Sequence, residues 1–213
     1  MADVTIDIIA DPVCPWCYLG YRRLQGAVEH LGDSYRFKLN WLPFELHPDI
    51  PATGVLRDDY LGRKFGSQEK LNEVSHALQT IGAAEGIEFN FSPEDVVPNT
   101  LKAHQLMLQA VKQDLATPMM LALFDAYFTK GENIGLETVL TKIAKNVGLE
   151  DELINDAFTR SGAQIVQEKI DKIRRLNIQS VPSYIINEQF LLQGARSPEE
   201  FAQAIIEVID GRD

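Results

Sequence analysis

The sequence predicts an α/β chain: a β-α-β start, a long helical insertion, and a β-β-α end. Three observations predict it. The apolar run Val4-Thr5-Ile6-Asp7-Ile8-Ile9-Ala10 leads at once into a helical pattern and then into an alternating stretch. Residues 56–177 carry helical spacing and no convincing strand. The end of the chain returns to two short apolar runs and a well-capped helix. The expected division is 1–51 with 178–213 as the sheet-bearing domain and 52–177 as an inserted helical subdomain. No linker-like stretch and no internal repeat marks a separate module.

Taken in order, residues 4–10 read as a strand buried on both faces, with Asp7 and Asp11 as polar exceptions. A helix is predicted from Pro15 to Leu31, with Tyr18, Leu24, Ala27, Val28 and Leu31 on its apolar stripe and Gly32 at its end. Residues 35–42 alternate apolar and polar, as a half-buried strand does. Strand, helix, strand with a right-handed crossover makes the two strands parallel. The segment Pro43-Phe44-Glu45-Leu46-His47-Pro48-Asp49-Ile50-Pro51 ends regular structure. It leaves the sheet at the end where open α/β sheets bind ligands. Phe44, Leu46 and Ile50 are therefore candidate groove residues, with packing as the alternative, and Glu45 and His47 are candidate polar wall groups.

The insertion reads as a helix from Asp58 to Glu85, weak at Gly62 and Gly66, then a loop over 86–98. Asn99 or Thr100 caps the next helix, where Leu101, His104, Leu108 and Val111 share a face. Helices from Thr117-Pro118 through Phe128, Leu136 to Val147, Glu150 to Ser161 and Ala163 to Leu176 follow. Val181-Pro182 precedes a strand at Tyr184-Ile185-Ile186, Asn187-Glu188 turns the chain, and Phe190-Leu191-Leu192 returns as a hairpin. Ser197-Pro198-Glu199-Glu200 opens the last helix with an N-cap, a first-turn proline and a capping-box glutamate; that helix is expected to bury Phe201, Ala204, Ile205 and Val208.

The 213 residues are 45% hydrophobic and 24% charged, with a formal net charge of −11. That composition suits one sizeable core. The acidic balance argues against a nucleic-acid partner, because phosphate binding needs a basic surface. The start Met1-Ala2-Asp3-Val4 runs straight into a strand, and no apolar run is long enough to span a bilayer. The expectation is a cytoplasmic protein with no membrane partner.

Both cysteines of the chain, Cys14 and Cys17, lie in Asp11-Pro12-Val13-Cys14-Pro15-Trp16-Cys17-Tyr18-Leu19-Gly20, at the junction of the first strand and helix. A cysteine at a helix start meets unpaired N–H groups and the positive end of the dipole, which favour thiolate. Cys14 is the expected nucleophile with a lowered pKa, and Cys17, nearly one turn on, its partner. Inert core thiols and half a metal site are the competing readings. Tetrahedral zinc needs four ligands, and there is no second cysteine pair; His30, His47, His76 and His104 show no ligand spacing. No metal or resident cofactor is expected. A C-x-x-C pair beside a β-α-β pattern reads as a redox pair. Asp11, three residues before Cys14, is either a turn residue or a proton acceptor near the thiols.

These motifs together resemble the DsbA-like branch of the thioredoxin superfamily. Within it the chain is most similar to the FrnE-type cytoplasmic dithiol–disulfide oxidoreductases, kin of the 2-hydroxychromene-2-carboxylate isomerases and the kappa-class glutathione transferases. The resemblance rests on the stretch from Asp11 to Gly20, Phe44-Glu45-Leu46-His47-Pro48, Pro98-Asn99-Thr100 with Ala103-His104, Ser180-Val181-Pro182-Ser183-Tyr184, and Gly194-Ala195-Arg196. It implies a thioredoxin-like fold with a helical insertion and a cis peptide at Pro182. It implies that the Val181 backbone pairs with a substrate chain, that Pro15 and Trp16 tune the pair, and that Phe44, Asn99, His104 and Arg196 lie toward substrate. The group usually has Gly-Ala-Gln where this chain has Arg196, so a bound carboxylate is the alternative there. Asn99 and His104 equally fit an N-cap and a core-edge histidine.

The function expected is exchange of disulfides with a protein or small thiol substrate by Cys14 and Cys17, with Cys14 the more exposed sulfur. The first alternative is a glutathione-dependent isomerase or transferase acting on a small aromatic or electrophilic compound, and glutathione enters either reading as a possible co-substrate. The second is a holdase whose thiols act as a sensor. Thioredoxin and DsbA span about −270 to about −120 mV, so resemblance does not set the direction of exchange.

Overall fold

The computed structural model describes residues 2–211. Its elements alternate as the sequence predicts at both ends. Strand β1 (Ala2–Ala10) leads into helix α1 (Pro15–Leu31), and a short 3₁₀ turn at Gly32–Ser34 leads into β2 (Tyr35–Pro43). The insertion holds β3 (Val55–Leu56), α2 (Arg57–Phe65), α3 (Gln68–Ala84), β4 (Val96–Val97), α4 (Leu101–Lys112), α5 (Ala116–Phe124), α6 (Glu137–Val147) and α7 (Asp151–Ala157). Helix α8 (Arg160–Arg175), β5 (Ser183–Ile186), β6 (Phe190–Gln193) and α9 (Pro198–Asp210) complete the chain. No helix among the described residues is long and apolar enough to cross a membrane.

The chain falls into two compact units. One holds the residues up to Leu46 and from Lys169 onward; the other is His47–Glu168. The breaks thus fall at 46/47 and 168/169, not at 51/52 and 177/178. The later one moves because Ile173 and Ile178 pack with Ile9 and Phe44 in one buried cluster, so the end of α8 stays with the sheet.

In the first unit the sheet order is β2-β1-β5-β6. β1 runs parallel to β2, with Ala2 opposite Tyr35 and Ala10 opposite Pro43, and antiparallel to β5, with Ile8 opposite Tyr184 and Ile9 opposite Ser183. Flanked on both sides, β1 buries Val4, Ile6, Ile8, Ile9 and Ala10. Asp7, half-buried, accepts from the Asn40 amide at 2.8 Å. The β5–β6 hairpin turns on Asn187 and Glu188, both with positive φ, as a tight twisted hairpin requires. Helix α1 packs on α9. The α9 start is a complete capping box: the Ser197 side chain accepts from Glu200 N, and the Glu200 side chain accepts from Ser197 N. Phe201, Ala204 and Ile205 are buried, while Val208 is half-buried at the outer end.

The second unit departs from the sequence expectations in four places. The 58–85 helix is two, because Gly66 takes φ 91 and ends α2. The expected loop over 86–98 contains a strand: Val96 and Val97 pair antiparallel with Leu56 and Val55. Two-residue strands leave no periodicity to read. On α4 the buried side chains are Ala103, His104, Gln105, Leu106, Met107, Gln109 and Ala110, whereas Val111 is 51% exposed. The face is broader than the expected stripe because α4 packs on α5, α6 and α7. The break between α7 and α8 comes at Phe158 and Thr159 instead of Gly162, with the Thr159 hydroxyl accepting from Gly162 N at 3.1 Å. The helix expected to run through Phe128 does so by a π turn over Asp125–Thr129, stacked into a cluster of Phe89, Phe91, Phe124 and Phe128.

Glu45 is buried in the first unit at 5% exposure. Burial raises its carboxyl pKa, and the charge of Arg174 opposes that. A carboxyl whose folded pKa is raised binds more protons in the folded state. Its penalty is absent below the ordinary glutamate pKa and grows as pH rises through the folded value. Glu45→Gln is therefore expected to stabilise the fold at neutral pH by on the order of 1 kcal/mol. The gain should disappear in acid, which urea unfolding at several pH values checks.

Candidate active site

The site is assembled where β1 ends. Asp11 turns the chain: Cys14 N donates to the Asp11 carbonyl at 2.9 Å, and the Asp11 carboxylate accepts from Val13 N at 3.4 Å and Leu46 N at 2.7 Å. Those bonds explain how a carboxylate is held with no solvent exposure. They also tie the C-terminal ends of β1 and β2 together. Pro15 then starts α1 at its first position, where its missing N–H costs nothing. Cys14 is the N-cap, in extended backbone at φ −91 and ψ 111, and no acidic side chain sits in the first turn.

Cys14 and Cys17 are both free thiols. Cys17 N donates to the Cys14 carbonyl at 3.0 Å, the first bond of the helix. The Cys14 thiol donates to the Val181 carbonyl at 3.8 Å, across 167 residues of chain. The antiparallel pairing of β5 with β1 explains this approach. Ser183 lies opposite Ile9, so the residues just before it reach the level of the helix start. The Val181–Pro182 peptide is cis, as the resemblance implies.

Cys17 is fully enclosed, and its thiol pKa is pushed well up. Burial is the largest cause, followed by the hydrogen bond and then the charge of Cys14. The Asp11 backbone N–H, which donates a hydrogen bond to the sulfur, opposes the rise, while the Asp11 carboxylate adds to it. Asp11 is thus both the turn residue and a neighbour of the thiols. Cys14 is the more exposed of the two sulfurs, as expected, but only narrowly, because both are buried: Cys14 is 3% exposed and Cys17 1%. The Val181 carbonyl closes over the first sulfur. Trp16, at 43% exposure, is the open face of the motif.

The remaining candidates divide. Phe44 is a core residue, 6% exposed among Ile9, Ile173 and Ile178, and forms no groove wall. Its N–H extends the sheet by donating to the Ala10 carbonyl at 3.2 Å. Arg196 donates from Nε to the Gln193 carbonyl at 2.8 Å and pairs with Glu200 at 3.3 Å, so the carboxylate it holds is one of its own chain. Asn99 and His104 belong to the second unit. The Asn99 amide donates to the Ile50 carbonyl and its oxygen accepts from Leu101 N, both at 3.0 Å, tying a loop to the start of α4. His104 is buried on α4 at 1% exposure. His47, in the same unit, meets the Tyr60 hydroxyl at 3.2 Å. Among the described residues no group of three or more His, Cys, Asp or Glu is placed to hold a metal ion.

Two residues of the site carry no assigned role in the sequence reading. Tyr184 on β5 is fully buried, its ring edge-on to Phe201 at 4.7 Å, and its hydroxyl has no hydrogen-bond partner. Gly20 on α1 lies over it: a Cβ there would collide with the Tyr184 hydroxyl and lie 3.2 Å from Pro182 Cγ. The signal for both was present, since each sits in a motif with the cysteines or the proline, but a tyrosine in an apolar strand reads as core.

Comparison with known proteins agrees with this geometry. The DSBA-like thioredoxin domain matches residues 5–206. The uncharacterized Bacillus subtilis protein YwbO is 27% identical over 205 residues, 95% of this chain and 96% of its own. Among solved structures, a probable DsbA oxidoreductase of Streptomyces coelicolor superposes with a TM-score of 0.88 at 22% identity, covering 99% of this chain and 92% of that one. The cytosolic disulfide reductase DsbM of Pseudomonas aeruginosa, solved with GSH, superposes at 0.66 and 16% identity, covering 97% and 99%. At these identities the two structures speak for the fold. The match over nearly the whole length, with the cysteine pair at the strand–helix junction, shows that this chain belongs to the family of DSBA-like thioredoxin domains.

Proposed function

We propose that the protein is a thiol–disulfide oxidoreductase in which Cys14 attacks and Cys17 resolves. One observation carries the reading: Cys14 is the N-cap of α1, hydrogen-bonded to the Val181 carbonyl on one side and to Cys17 on the other. The Cys14 thiolate attacks one sulfur of a substrate disulfide. That S–S bond breaks, one substrate thiolate leaves and takes a proton, and a mixed disulfide forms on Cys14. Cys17 then loses its proton and attacks Cys14 Sγ. The second substrate thiolate leaves, and the Cys14–Cys17 disulfide remains. The substrate gains two electrons and the pair gives them up; oxidation of a dithiol runs the same path in reverse. We assign Asp11 as the acceptor of the Cys17 proton, because its amide is hydrogen-bonded to that sulfur and its carboxylate is buried beside the pair. The backbone of Val181 takes the substrate chain in the manner of an added strand.

Glutathione is the thiol we propose to reset the pair, and the cytoplasm its place of work. The likeness to a cytosolic reductase solved with GSH supports both. The test is equilibration of the protein in glutathione buffers of graded ratio, followed by mass spectrometry. The expected result is reversible loss of the mass of two hydrogens with a single midpoint, and a transient glutathione adduct on Cys14. A protein that stays a dithiol at every ratio refutes the reading.

A further inference from the structure

We propose that Tyr184 donates a hydrogen bond to the Cys17 sulfur when it becomes charged in the resolving step, and that residue 20 is glycine so that the phenol can reach it. The inference rests on the exchange reading above and adds a residue to its second half. A buried hydroxyl with no partner is uncommon, because its lost hydration is not replaced. Phenylalanine would fill the same space against Phe201 without that penalty. The oxygen also lies where a Gly20 side chain would begin. Gly20 stands three residues after Cys17 on α1, so the two share a helix face and their Cβ positions are about 5–6 Å apart. Helical Cα–Cβ bonds tilt toward the N-terminus, so the space left at Gly20 opens toward Cys17. The hydroxyl therefore lies on the helix face that carries the resolving sulfur, near enough for the charges of both cysteines to act on it.

The chemistry needs such a group. Cys17 is sealed from solvent, and the Asp11 carboxylate disfavours charge on it. The Asp11 amide is one donor; a second would ease formation of the thiolate. Burial, and then the charges of Cys17 and Cys14, push the Tyr184 phenol pKa well up. The phenol thus stays protonated and acts as a donor; it gives no proton away. No bond is made or broken at Tyr184.

The test uses Cys14→Ala, in which Cys17 is the single thiol, with isotopically labelled cysteine and the Cβ chemical shift followed against pH. Adding Tyr184→Phe is expected to lower the Cys17 acid dissociation constant by about tenfold. Global fluorotyrosine substitution, which acidifies the phenol and strengthens the donor, moves it the other way. In the two-cysteine protein, Tyr184→Phe shifts the pH profile of the resolving step to higher pH while the unfolding midpoint of the dithiol form holds or rises. A Cys17 titration that moves in neither the phenylalanine nor the fluorotyrosine protein overturns the proposal, and exchange intact in the wild type then leaves the oxidoreductase reading standing. Titrations that move in a wild type showing no exchange separate the opposite failure.

Discussion

A Cys14→Ser protein is expected to show disulfide exchange lower by at least about 10³-fold, at the uncatalysed level. Serine keeps the N-cap position but cannot form the mixed disulfide. Cys17→Ala has a different outcome. Its Cys14 retains the N-cap seat and the Val181 carbonyl at 3.8 Å, so the first attack proceeds and the covalent adduct accumulates. Non-reducing electrophoresis and mass spectrometry of the two variants, incubated with a protein disulfide and with oxidised glutathione, check both. The pair of variants also decides between oxidoreductase and glutathione-dependent isomerase. An isomerase or transferase uses one thiol-handling residue, so full turnover in Cys17→Ala on a small electrophile would transfer the assignment to that class.

Phe44→Ala is expected to cost about 3–5 kcal/mol of stability. The ring fills a buried cluster with Ile9, Ile173 and Ile178, against which Leu42, Leu46, Val181 and Ile185 pack. Losing it leaves a cavity where the end of β2 and the end of α8 meet the sheet. That is a large share of the roughly 5–15 kcal/mol that holds a domain together. Urea unfolding followed by the fluorescence of Trp41, buried in the same unit, measures it. Exchange per folded molecule should stay near wild type at low denaturant. A variant of unchanged stability with weakened substrate turnover would return Phe44 to the groove wall that its place after β2 suggested.

What was legible in the chain was what near neighbours decide. The first helix opened at Pro15 and closed at Leu31 as its spacing, first-turn proline and Gly32 predict. Ser197, Pro198 and Glu200 made the expected capping box, and Asn187-Glu188 made the expected turn. Each depends on side chains within a few residues of the backbone groups they satisfy. The misreadings share the opposite cause. The Val55–Leu56 and Val96–Val97 ladder joins two segments that carry no pattern alone. The buried face of α4 widened because three helices cover it.

The same division runs through the site. Sequence alone placed a cysteine pair at the junction of a buried strand and a helix, because hydrophobic pattern, proline and spacing act locally and without alternatives there. Only the tertiary structure decided that the Val181 carbonyl closes over Cys14, that both sulfurs are buried, and that the Tyr184 hydroxyl ends without a partner beneath Gly20. Those facts follow from the register of β5 against β1 and from the packing of α1 over it. Such contacts join residues far apart in the chain, and their geometry is set when whole surfaces interlock.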